Sequence, residues 1–98
     1  MYLKIHETRE GKIVAVCDED LLGKTFEEGK AFLDLKTYRN FYDGGKADEA
    51  KVKDALKSFS SANLVGKKSI GVARALGLIE DEDIKYIRGV PYSQIYNI

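Results

Sequence analysis

The chain reads as an α+β domain: a two-layer sandwich with a mostly antiparallel sheet and a helical pair on one face. Three observations predict it. Two β-prone runs, YLKIHE and KIVAVC, stand either side of a short link ending in Gly11. The apolar period changes to helical after Asp48, and two further β-prone runs close the chain. Strands, then helices, then strands again argue for helices segregated to one face of a sheet. The expected order is β-β-β-α-α-β-β within a single domain over residues 1–98.

The first two runs form a hairpin about Gly11. Met1, Leu3 and Ile5 share one face of the first strand. Ile13, Ala15 and Cys17 share one face of the second, and Val14 and Val16 make it apolar on both sides, as a central strand requires. His6 lies with Tyr2 and Lys4, a solvated sheet position. A third strand is expected at KAFLDL, with Ala31, Leu33 and Leu35 inward, followed by an aromatic segment holding Tyr38, Phe41 and Tyr42 and a turn at Asp43-Gly44-Gly45. Asp48 is an N-cap residue. The stripe Val52, Ala55, Leu56, Phe59 and Asn63 predicts a helix that runs on toward Gly66. A second helix is expected from Lys67 to Leu76, with Ile70, Ala73 and Leu76 on one side and Gly77 as its C′ residue. Glu80–Asp83 reads as a turn. IKYIR and SQIYNI read as strands joined by the loop Gly89-Val90-Pro91-Tyr92.

Composition narrows the function classes. The 98 residues are 44% hydrophobic and 33% charged, with zero net charge and one Cys. That is core enough for one domain, and no internal disulfide can form, as in a reducing cytoplasm. No apolar run approaches the roughly 18 residues of a membrane span, and the N-terminus does not read as a signal peptide. A cytoplasmic protein without membrane association is expected. Charge is uneven: residues 1–49 hold 8 Lys/Arg against 11 Asp/Glu, net −3, and residues 50–98 hold 8 against 5, net +3. Residues 51–78 hold six cations against Asp54 alone, net +5. Such asymmetry marks either an anionic partner or an element packed beside an acidic one.

Two stretches raise the question of phosphate binding. LLGKTF (residues 21–26) carries Gly-Lys-Thr, the end of a Walker loop, but Asp18 stands where that loop needs its first glycine, and Asp18-Glu19-Asp20 would repel phosphate. The segment is better read as a loop anchored by Leu21 and Leu22, turned at Gly23 and packed through Phe26. Gly66-Lys67-Lys68-Ser69 is better suited to an anion, because it opens a helix whose free N–H groups and dipole favour negative charge. With Ile70 to Leu76 it looks somewhat like a helix-hairpin-helix, although Lys68 occupies the place of that motif's second glycine. The plainer alternative is a helical corner with solvated lysines.

Arg88-Gly89-Val90-Pro91-Tyr92-Ser93-Gln94 gathers a guanidinium, a phenol and an amide. These groups stack on bases and bond base edges, and they equally anchor protein interfaces. One His and one Cys cannot begin a metal site, and no nucleophile, base and oxyanion donor come together. No cofactor, metal or catalytic residue is expected. The candidate anion- or RNA-binding residues are Gly66, Lys67, Lys68, Ser69, Arg74, Arg88, Tyr92 and Gln94.

CDEDLLGKTFEEG, ANLVG and GVPYSQ, taken together over the whole chain, resemble an archaeal family known as domain of unknown function 424. Tyr92-Ser93 departs from the His-Ala of other members. The resemblance implies an archaeal cytoplasmic protein with a compact α+β fold, and it carries over no activity. The leading expectation is a non-enzymatic protein serving RNA or the translation machinery. The alternative is an interaction or assembly module that binds a protein partner or a second copy of itself through Tyr38–Tyr42 and the terminal hairpin.

Overall fold

A computed structural model describes residues 1–97. Strands β1 (Tyr2–Thr8) and β2 (Gly11–Cys17) form the expected antiparallel hairpin. A second hairpin, β3 (Thr25–Glu28) with β4 (Ala31–Asp34), makes a separate two-stranded sheet. One helical turn, α1 (Arg39–Tyr42), and a helix, α2 (Glu49–Ala55), follow. Then come β5 (Ser61–Val65), α3 (Lys67–Ala75), a 3-10 turn at Asp81–Asp83, β6 (Lys85–Ile87) and β7 (Val90–Tyr96). The main sheet runs β1-β2-β5-β7-β6, and every pairing is antiparallel except β2 with β5. The α+β class and the mostly antiparallel sheet are those expected; the two-layer sandwich is not, because α2 and α3 pack on one face while α1 and the β3–β4 hairpin pack on the other.

The element order differs from expectation at three places. Residues 61–65 do not extend the first helix but form the central strand. The stripe from Val52 to Phe59 is helical in pattern, yet Ser61-Ala62-Asn63-Leu64 alternates with period two, and Ala62 and Leu64 are the fully buried positions. Helix α2 stops at Ala55, ahead of the serines at 58, 60 and 61. Tertiary pairing on both sides of β5 outweighs the weak helical preference of a short run. Next, the strand at residues 31–34 pairs with 25–28 rather than joining the main sheet, leaving Ala31 exposed and only Leu35 fully buried. Finally, β7 begins at Val90, because the chain reverses at Arg88-Gly89. Both residues take positive φ, 52° and 76°, as a two-residue hairpin turn requires.

The sheet carries a core on each face. Leu3, Val14, Val16, Ala62 and Leu64 pack under Val52, Leu56, Ile70 and Ala73 of the two helices. On the opposite face Ala15, Cys17 and Val65 meet Leu35 and Tyr42, with Leu21, Leu22 and Phe26 against them. The anchoring of LLGKTF by Leu21, Leu22 and Phe26 and the turn at Gly23, φ +88°, are as expected, but the loop ends at Lys24 because Thr25 and Phe26 open β3. His6 is not a solvated residue. Its Nε2 lies 2.8 Å from the carbonyl oxygen of Phe41, and its ring stacks on Phe41 with centroids 4.6 Å apart.

Asp48 caps α2, its carboxylate accepting from the N–H of Lys51 at 2.9 Å. The start of α3 is capped from far away in sequence. In the parallel β2–β5 pair Cys17 lies opposite Val65, so the residues that follow, Asp18 and Gly66, emerge side by side. The Asp18 N–H donates to the Val65 carbonyl. Its carboxylate, in a residue only 6% exposed, accepts from the Lys68 N–H (2.9 Å), the Ser69 N–H (2.8 Å) and the Ser69 hydroxyl (2.7 Å). Gly66 is required beside it: its φ is +108°, and a Cβ there would collide with the Asp18 carboxylate.

Asp18→Ala removes a charge-assisted cap and leaves the buried Ser69 hydroxyl without its acceptor. The expected loss is about 2–4 kcal/mol in urea unfolding, and Gly66→Ala is expected to be at least as damaging. A loss below about 0.5 kcal/mol for Asp18→Ala would show that solvent caps the helix equally well.

Candidate functional site

The eight sequence-derived candidates do not form one patch. At the Gly66–Ser69 corner the N–H groups that make a helix start attractive to anions are already engaged by Asp18. The expected anion cradle is filled by the protein's own carboxylate. The corner is also a strand-to-helix junction, not a helix-hairpin-helix, since β5 leads into it. Lys67 and Lys68 remain as exposed cations on its outer side.

Lys67 does meet Arg88. Both line an open cleft of about 280 Å³ beside Gly66 and Pro91, but Asp18 and Asp20 line it too, so its charges balance. Arg88 is further committed to the β3–β4 hairpin: its Nε donates to the Glu27 carbonyl at 2.8 Å and its N–H to the Glu28 carboxylate at 3.0 Å. Arg74 lies in the last turn of α3 and pairs with Asp81 at 2.6 Å. That pair is exposed and worth little.

Tyr92 and Gln94 belong to a different surface. Residues of β5 and β7 alternate between the two sheet faces. Ala62, Leu64 and Ile95 face the helices, so Asn63, Tyr92, Gln94 and Tyr96 face the other way. On that face α1 packs against β1 and β2, the hairpin reaches across to β6 and its turn, and the Asn63–Tyr96 end of β5–β7 is left open. There Asn63, Gln94, Tyr92, Tyr96, Lys85 and Asp83 line a cleft of about 410 Å³, walled by Leu33 and Tyr42, in which the Lys85 cation is matched by the Asp83 carboxylate. Asn63 lies directly opposite Gln94, and Lys85 opposite Tyr92. Tyr96 is 64% exposed and stands opposite Ser61, whose small side chain leaves the ring uncrowded. Among the described residues neither Asn63 nor Gln94 makes a side-chain hydrogen bond to the protein.

Sequence reading singled out Tyr92 and Gln94 but missed Asn63, Lys85 and Tyr96 as their neighbours. The missing signal was the alternation in SANLV, which puts Asn63 on β5 and brings it across from β7.

Cys17 and Tyr42 lie beneath this region and are chemically quiet. Burial, with a smaller contribution from Asp18 and Asp20, pushes the Cys17 thiol up to about 12. Burial, and then Cys17, raises the Tyr42 phenol to about 12. Among the described residues no three His, Cys, Asp or Glu side chains gather as metal ligands would, and no helix is long and apolar enough to cross a membrane.

With the geometry in place, comparison with known proteins gives a family. The profile of the family described as "Protein of unknown function (DUF424)" matches residues 5–98. The chain belongs to this family. The resemblance carried by CDEDLLGKTFEEG, ANLVG and GVPYSQ is thereby borne out. Among solved structures, an uncharacterized conserved protein from the archaeon Methanopyrus kandleri is similar: 28% identity, a TM-score of 0.78, and coverage of 97% of this chain and 89% of that one. No curated protein matches the chain. The solved protein shares this fold, and neither description names a ligand.

The Cys17 environment makes a direct test of the hairpin-side core. At pH 8 the native thiol is expected to react with Ellman's reagent at least about a thousandfold more slowly than in the unfolded chain, whose thiol ionises near 8.5. Comparable rates would mean that the hairpin does not cover Cys17.

Proposed function

We propose that this protein is a binding protein that takes single-stranded RNA through its bases on the open β5–β7 end of the sheet. The observation that carries the reading is the composition of that surface. Tyr96 is the exposed ring of the cleft, Gln94 lies two residues before it on the same face with Asn63 across, and the half-buried Tyr92, packed in the hairpin-side core, closes the other end. Aromatic rings on a sheet face stack unpaired bases, each worth about 1–3 kcal/mol, and amides bond their edges. Lys85, across from Tyr92, supplies one cation at the rim, beside the Asp83 carboxylate. RNA of the translation machinery is a natural source of such single-stranded segments and makes the first probe.

The proposal moves the site away from Lys67 and Lys68. These belong to the helix layer, whereas the open cleft is on the opposite face. Recognition resting on stacking with one or two phosphate contacts implies a shallow salt dependence, with a log–log slope near −1. A protein partner is the competing reading. It rests on two exposed rings, Phe32 on β4 and Tyr38 at the start of α1, 59% and 63% exposed.

Anisotropy of labelled ribosomal and transfer RNA fragments, titrated from low to near-physiological salt, separates these readings. Tyr96→Ala is expected to weaken binding by about 5- to 150-fold, and reversal of Lys67 and Lys68 to glutamate by less than about threefold. A steep salt slope abolished by the lysine reversal would return the site to the helix corner. No binding at any salt, with a salt-insensitive protein complex instead, would favour the partner reading.

A further inference from the structure

The open end of the sheet has a feature that base stacking alone does not require. Asn63 sits in the middle of the central strand, between β2 and β7. Asparagine is disfavoured in strands, and this one is half-buried, with no hydrogen-bond partner for its amide among the described residues. Directly opposite is Gln94, likewise without a partner. The ladder geometry brings the two amides close. The bonds Asn97 N–H to Ser60 carbonyl and Gly66 N–H to Pro91 carbonyl mark the hydrogen-bonded pairs at either end of β5–β7. Counting inward from both, Asn63–Gln94 is a non-hydrogen-bonded pair, the kind whose Cα atoms approach to about 4.5 Å and whose side chains stand closest. Two neighbouring primary amides therefore project from the floor of the cleft. Tyr96 lies two residues from Gln94 on the same face, beside Ser61.

Resting on the RNA-binding reading, we infer that Asn63 and Gln94 select adenine: one base stacks on Tyr96 and presents its N6–N7 edge to the amides. A primary amide has one acceptor and two donors. Its carbonyl accepts from the adenine N6 amino group while its NH₂ donates to N7, the bidentate match for this base. Guanine offers two acceptors on that edge, O6 and N7, which one amide cannot satisfy together. Pyrimidines have no N7. Gln94, the exposed amide beside Tyr96, makes this bidentate contact, and Asn63 lies across from it to bind the neighbouring base. Asn63 is fixed by the central strand, and Gln94 is the exposed, adjustable member.

The test uses 5′-fluorescein octamers of adenosine, uridine, cytidine and 7-deazaadenosine against the full chain. The last stacks like adenosine but lacks the N7 acceptor. Wild type is expected to bind the adenosine octamer about tenfold or more tightly than the other three. Gln94→Met, on an exposed position and close in volume, is expected to keep the thermal midpoint while bringing all four octamers within about threefold of one another. Tyr96→Ala then lowers all four. If wild type binds the four equally, or Gln94→Met leaves an adenosine preference unchanged, the selection is overturned while base binding on the sheet stands. If none of the octamers binds, the RNA-binding reading falls and the selection with it.

Discussion

The Asp18 carboxylate holds together elements that the chain order keeps far apart. It ends β2, touches the end of β5 through its own N–H, and caps α3 with both oxygens. Everything on the helix side depends on where α3 begins. Its first turn places Ile70 and Ala73 over Leu64 and Val16, and a helix start displaced by one residue would rotate that face by about 100°. A buried carboxylate would be costly if left unpaired. Here three donors reach it, two of them backbone N–H groups that would otherwise be orphaned at the helix start. The requirement for glycine at 66 follows from the same contact, since only a residue without a Cβ leaves room for the carboxylate.

The same interaction explains what the sequence could and could not disclose. Features set by local pattern were legible: the β1–β2 hairpin, the Asp48 cap, the extent of α3, the buried Cys17 and the packed LLGKTF loop. The role of Asp18 was not, because its partners lie fifty residues on and become neighbours only through parallel pairing of β2 with β5. That pairing was hidden in turn by residues 61–65, where a helical stripe runs by coincidence from Phe59 to Asn63. One misread strand therefore concealed the capping carboxylate, the true neighbour of Gln94 and the open cleft together. A helix start flanked by two lysines is chemically suited to phosphate, and composition alone gives no sign that an aspartate has filled it.

The two faces of the sheet are finished differently. The helix face is packed under α2 and α3 at its centre, with Ile5 of β1 left 43% exposed at its edge. The other is covered by a four-residue-strand hairpin and one turn of helix, which span the sheet from β1 to β6 but cover only one end of its strands. Arg88 fastens that cover by donating to both strand-end residues Glu27 and Glu28, and His6 fastens α1 through Phe41. The edge of the cover, at Leu33 and Tyr42, becomes one wall of the cleft.

The placement of β5 has a kinetic side. Hairpins β1–β2 and β6–β7 are each closed by a tight turn and can form within their own stretch of chain. Strand β5 must be inserted between them, which needs the segment from residue 18 to 60 to close on itself. Such a closure carries a chain-entropy cost of about 3 kcal/mol beyond the constant term, recovered only when both edges of β5 are paired. Until then β2 and β7 each expose an apolar strand edge, the kind of surface through which chains associate. A sheet whose central strand is supplied from a distant part of the chain thus leaves two apolar edges open for as long as that strand is unpaired.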